Sequence, residues 1–311
     1  VSAAELFEAG IPMAWIGVWL FAVGAALGSF LNVVIARVPA GLSLVRPRSR
    51  CPRCERPIAW YDNIPVISWF ALRGRCRGCR RPISFRYPLV EAGLGAATLA
   101  AGLRHGLDGA ALAEVAMVAL LVPLAFIDLD TWHLPHVLTF PLAALGLGAA
   151  ALGWTPVTLR AAAAGAVVGF ALFAGIWALG EKVLHRELMG FGDATLLGGI
   201  GAWLGLPALL PVVLLGSLQG SAVGLVLMAV GKLPGGRPVL APGEPAKQED
   251  GPGVADGAGA PAATGARDAE APWIPPRTAV PFGPFLVLGT LEWLYLGDWL
   301  REVIPALGAL R

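Results

Sequence analysis

Charge is what this 311-residue chain has least of. Lys, Arg, Asp and Glu together make up 14% of it, against about 25% in soluble domains. Residues 194–231 contain no charged side chain at all. With 56% hydrophobic residues and a mean hydropathy of +0.69, this shortage excludes a soluble globule, which could not cover so apolar a core with a charged surface. Other absences narrow the field. No basic segment precedes the first apolar stretch, so that stretch reads as a span and not as a cleaved signal peptide. There is no Gly-rich nucleotide loop of the Rossmann kind. No convincing internal repeat divides the chain into the two similar halves common in transporters. Cysteine is scarce too, with four residues, all in one loop.

What is present is a series of uncharged windows. A helical span needs roughly 20 apolar residues, and the windows are that long. The expectation is an all-α polytopic membrane protein of about eight transmembrane helices. A small zinc-bound cytosolic loop domain separates helices 1 and 2. Residues 9–37 form the first helix and 38–87 the tetra-cysteine domain. Residues 88–231 carry helices 2–7, with starts near Pro88, Ala110, Leu134, Ala161 and Ala194 and a turn at Gly205 and Pro207 dividing the last window. Residues 232–277, rich in Pro, Gly and Ala, read as a disordered cytosolic linker, and 278–300 as the eighth helix.

The net charge of +2 matters less than its distribution. Arg46, Arg48, Arg50, Arg53, Arg56, Arg73, Arg75, Arg77, Arg80, Arg81 and Arg86 fall in one loop, opposed only by Glu55 and Asp62. A basic loop between two spans marks the cytosolic side, and nucleic acid is not expected as a partner. Counting spans from there puts the links 128–135 and 181–193 on the same cytosolic face, so Asp128 and Asp193 share it.

Three groups of residues carry chemistry. Cys51, Cys54, Cys76 and Cys79 make two CxxC pairs with 21 residues between them, the spacing of a four-thiolate zinc site. Nearby arginines favour thiolates. Disulfides are the alternative, disfavoured in a reducing cytosol. Four protein ligands close such a site, so zinc there folds the loop and does no chemistry. Asp128 and Asp193 are the second group. Two carboxylates sharing one proton can hydrolyse a peptide, one acting as base and one as acid. Taken singly, Asp193 also reads as a helix N-cap, and Asp128 as an interfacial anchor like Asp130. The third group is His133 and His136 beside Asp128 and Asp130, a conceivable metal site, with interfacial histidines the plainer reading.

Taken jointly, the motifs resemble the type IV prepilin peptidases, the bifunctional leader peptidase/N-methyltransferases of pilus and type II secretion systems. The resemblance runs through Gly28-Ser29-Phe30-Leu31-Asn32-Val33-Val34 with Arg37-Val38-Pro39 and the CxxC pairs. It continues through Asp62-Asn63-Ile64-Pro65, Ser68-Trp69, Gly74-Arg75 and Tyr87-Pro88 with Glu91, then Ile127-Asp128 with Leu134-Pro135, and Gly190-Phe191-Gly192-Asp193, which matches the GxGD motif of membrane aspartyl proteases. One departure is His136, where the family usually has Asp or Asn. The resemblance implies that Asp128 and Asp193 cut the basic leader from a prepilin or pseudopilin after a glycine, at the cytosolic face of the bacterial inner membrane. The new N-terminal amine would then be methylated with S-adenosylmethionine. Asp62, Asn63 and Glu91 are polar candidates for that second reaction, with no donor-binding residue carried over. A peptidase without methyltransferase activity remains the near alternative, and a transporter with intramembrane carboxylates and a zinc-ribbon loop the distant one.

Overall fold

The computed structural model describes residues 12–186, 189–230 and 280–304. The expected linker 232–277 lies outside them. By backbone packing the chain divides into one unit, Val1–Val223 with Pro281–Arg311, and a second, Gly224–Val280; the contacts described below belong to the first. Among the described residues there is no β-strand, only two isolated bridges in the cysteine loop.

The helices are α1 Met13–Arg37, the short α2 Ile67–Ala71, α3 Arg86–His105, α4 Gly109–Thr131, α5 His136–Ala151, α6 Leu159–Leu179, α7 Phe191–Leu204, α8 Leu206–Ala229 and α9 Gly283–Val303. Local chemistry sets several of their ends. The Asp108 carboxylate caps α4 by accepting from Ala111 N–H at 3.0 Å, and Thr158 caps α6 through Ala161 N–H. Gly205, at φ +73, separates α7 from α8 where the uncharged window was expected to turn.

A helix fills each window expected to hold one, but the windows are not equivalent. Among the described residues four segments are long and apolar enough to cross a membrane: Ala14–Arg37, Gly109–Thr131, Leu159–Leu184 and Leu206–Ala229. Helix α5 is shorter and apolar. Helix α7 has 14 residues, about 21 Å at 1.5 Å per residue, less than the ~30 Å of a hydrocarbon core. Helices α3 and α9 carry charged side chains within their length.

Helix α1 lies along α3, and α7 lies between α5 and α6. In lipid the water-driven gain from burying apolar surface is absent, so close packing holds such helices together. The α6–α7 crossing shows how close. A Cβ on Gly201 would stand 2.2 Å from the Gly165 carbonyl oxygen, and one on Gly165 would stand 2.4 Å from that of Gly201. The core between them is closed by Leu121, Leu124, Leu142, Leu196, Leu197 and Ile200, all fully buried. Trp203 donates its indole N–H to the Leu142 carbonyl at 2.7 Å. Near the α3–α4 turn, Glu114 is buried and pairs with Arg104 at 3.2 Å and His105 at 2.9 Å.

Candidate functional site

Asp128 sits in the last turn of α4, which runs on into the expected link 128–135 as far as Thr131. Trp132 ends the helix in the left-handed region at φ 56, its N–H on the Asp128 carbonyl at 2.9 Å. Asp193 is the third residue of α7. The N-cap of that helix is Gly190 and not Asp193. The Asp193 carboxylate instead reaches back to the Gly190 backbone, as the third residue of a capping box does. Both aspartates are buried, with 5% and 8% of their surface exposed, and they are near enough for the charge of one to act on the other. The structure therefore brings the two together, at adjoining ends of α4 and α7.

A third helix end closes this junction. Gly283, the first residue of α9, donates its N–H to Asp128 Oδ2 at 3.0 Å. Leu134 is wedged between the parts. A Cβ on Gly192 would meet Leu134 Cβ at 2.7 Å, and one on Gly283 would meet Leu134 Cδ1 at 3.4 Å. On the outer side, Phe191 meets Trp177, Phe170 and the His136 ring edge-on, while His136 stacks on Phe140. Gly190 and Phe191 are exposed there. His136 thus belongs to an aromatic wall. Among the described residues the donor atoms that converge on a possible metal position are the four cysteine sulfurs, so His133, His136 and the aspartates beside them do not form the second metal site. Asp130 is salt-bridged to Arg86 at the start of α3.

The four sulfurs come together in the α1–α3 loop, all within 4.8 Å of one another, with Cys51 and Cys79 at 3.8 Å. A tetrahedral zinc with bonds of about 2.3 Å requires sulfurs about 3.8 Å apart, so the set fits that ion. The loop achieves this by using one local pattern twice, Arg50-Cys-Pro-Arg-Cys-Glu-Arg-Pro-Ile58 and Arg75-Cys-Arg-Gly-Cys-Arg-Arg-Pro-Ile83. In each, the first cysteine's N–H donates to a carbonyl five residues on, from Cys51 to Arg56 at 3.0 Å and from Cys76 to Arg81 at 2.9 Å. The residue after each second cysteine turns left-handed, Glu55 at φ 55 and Arg80 at φ 59. The sequence carries the signal of this short repeat: an Arg before each CxxC and Arg-Pro-Ile one residue after it. Backbone N–H groups of Cys54 and Arg53, and not the arginine charges, hold the Cys51 thiol down at about 6. Cys79 takes a hydrogen bond from the Arg81 backbone, yet burial and the three neighbouring sulfurs push it up to about 11. Sulfurs crowded in this way need a cation to ionise together.

The polar candidates of the loop have definite partners. Asp62 is held by Arg77 in a two-pronged pair at 2.8 and 2.7 Å, and this guanidinium keeps its carboxyl below the usual carboxylate range. Asn63 ends a short 3-10 turn, Trp60–Asn63. Glu91, buried on α3, accepts from Val66 N–H at 2.7 Å and from Ser29. Val66 sits at φ 62, ψ −56, between Pro65 and Ile67, whose carbonyl and N–H close a tight γ-turn at 2.6 Å. That hand of γ-turn is strained for a β-branched residue. Asn32 on α1 joins the same region through the Tyr87 carbonyl at 3.2 Å.

The helical fold, the candidate spans, the four-sulfur loop and the two buried aspartates at helix ends are those of a multispanning membrane protein. Known proteins agree. Residues 22–105 match the family model described as the bacterial peptidase A24 N-terminal domain, and residues 115–225 match that of the type IV leader peptidase family. A prepilin leader peptidase/N-methyltransferase of Myxococcus xanthus (strain DK1622) is 44% identical over 315 residues, covering 93% of this chain and 92% of the relative. Proteins of the same name from Klebsiella pneumoniae and Burkholderia pseudomallei (strain 1026b) are 42% and 39% identical over 68% of this chain, covering 94% and 76% of their own lengths. The chain belongs to the type IV leader peptidase family. No solved structure matches it.

Proposed function

We infer that this bacterial membrane protein removes the leader peptide from prepilins and N-methylates the residue exposed by the cut, and that Asp128 and Asp193 are its peptidase pair. The observation that carries the second part is the burial of two carboxylates from separate helices near enough for the charge of one to act on the other, within a chain of the leader peptidase family. Nothing favours a transporter over a member of this family.

The chemistry follows from the pair. The ionised aspartate takes a proton from a water molecule as that water's oxygen attacks the scissile carbonyl carbon. The protonated aspartate gives its proton to the carbonyl oxygen. Collapse of the tetrahedral species breaks the C–N bond as one of its hydroxyls returns its proton to the second aspartate, and the proton held by the first aspartate passes to the leaving amine. Peptide access is supported by Gly190, which is exposed and has open space around its Cβ position apart from Asp193 Oδ2 at 3.6 Å. A prepilin carries a basic leader followed by an apolar helix lying in the bilayer. Its scissile bond then falls at the membrane edge, where a pair at helix ends is reachable. The arginine-rich loop supports a cytosolic site in the inner membrane with the eight helices as spans.

Cys51, Cys54, Cys76 and Cys79 would hold zinc, which when bound supplies a fixed tetrahedral crosslink to the loop. The relatives' double name and this loop favour the bifunctional form, with S-adenosylmethionine as the methyl source. The test uses purified protein with a prepilin and, separately, a pre-cleaved pilin. Asp128→Asn and Asp193→Asn each lower cleavage by at least about 10,000-fold while methylation of the pre-cleaved pilin continues. Substantial cleavage by either variant would end the dyad assignment.

A further inference from the structure

We propose that Gly283 is a positioning residue of the peptidase centre: its backbone N–H fixes the Asp128 carboxylate, and its lack of a side chain is what allows α9 to do so. The proposal rests on Asp128 being one of the peptidase pair. Both family matches stop short of α9, at residues 105 and 225.

The hydrogen-bond accounting at the start of α9 singles this group out. The first N–H groups of a helix have no partner within it. Pro284 has no N–H to offer. Those of Phe285 and Leu286 both go to the Phe282 carbonyl at 3.1 Å. The Gly283 N–H alone among these first-turn donors points away from the helix, and it meets Asp128 Oδ2 at 3.0 Å in a buried contact between residues 155 positions apart. The approach tolerates no side chain. A Cβ at 283 would stand 2.6 Å from Oδ2 and 3.2 Å from Cγ of Asp128, with Leu134 Cδ1 at 3.4 Å on the other side. Leu134 cannot yield freely, because it already lies against Gly192 on α7, so the carboxylate is the group that must move. The start of α9 is itself anchored, with Pro281 buried and the Phe282 ring against Phe173 at 6.0 Å. Any side chain at 283 therefore displaces the carboxylate, and a displacement of about 1 Å in a reacting group costs about 100-fold in rate.

The test is kinetic, on the full chain. Gly283→Ala is expected to lower kcat for prepilin cleavage by about 100-fold, with KM within about twofold and methylation of pre-cleaved pilin unchanged. A purely structural defect would impair both activities together. A kcat within about threefold of wild type, whatever happens to KM, overturns the proposal. If Gly283→Ala loses methylation as well, the chain has misfolded and Asp128→Glu decides. The longer arm keeps the acid but moves it off the Gly283 N–H, so cleavage should again fall about 100-fold; cleavage within about tenfold of wild type overturns the proposal. Asp128→Asn runs alongside, and cleavage by that variant would instead bring down the dyad assignment on which the proposal stands.

Discussion

The sulfur loop and the aspartate junction gather their functional atoms by different means. The loop uses a nine-residue pattern twice, each copy closed by its own backbone bonds. The junction uses three helix ends from separate parts of the chain, joined by a backbone N–H and by glycines that admit their neighbours. The loop's sulfurs repel one another's ionisation and need a cation. The carboxylates are held by peptide groups, Gly283 for Asp128 and Gly190 for Asp193. A local device would tolerate an exposed setting once an ion crosslinked its four sulfurs. A long-range one depends on packing between separate helices. Glu91 and Arg86 tie the two regions, one to the strained turn at Val66 and the other to Asp130, two residues from Asp128.

If the regions are as separate as this contrast implies, damage to one should leave the other working. The largest effect is expected from Cys51→Ser. Loss of one of four ligands should reduce bound zinc to roughly a tenth of the wild-type value and abolish methylation, while prepilin cleavage stays within severalfold; metal analysis and the two assays read this directly. Loss of cleavage in proportion to zinc would break the contrast. Next comes Gly192→Ala. Its Cβ would press on Leu134 at 2.7 Å, so overpacking of about 1–3 kcal/mol is expected, with cleavage falling tenfold or more, roughly, and zinc content unchanged. Smaller and in the opposite region is Arg77→Ala. Arg77 holds the Asp62 carboxyl below its unfolded value, so this pair stabilises the loop above about pH 4 and ceases to do so as pH falls through the folded value. The pair is exposed on the arginine side, so at neutral pH amide exchange in the loop should quicken only about severalfold, with cleavage untouched.

Composition and motif spacing made much of this protein legible. The shortage of charge sets a helical membrane fold, because an uncharged window of 38 residues has no other stable solution in lipid. The CxxC spacing sets the sulfur site, because two short turns carry their own geometry. Asp128 and Asp193 stood out as acids beside apolar runs. The sequence alone could not distinguish, at Asp193, an N-cap from a carboxylate that reaches back to the Gly190 backbone, nor show that α7 has only 14 residues. Least legible was Gly283. A glycine before a proline at the start of a helix gives no sign of its partner when that partner lies 155 residues earlier. Contacts within a turn are fixed by the residues that form it. A contact between distant helix ends depends on how every intervening helix packs, and only the tertiary structure settles that.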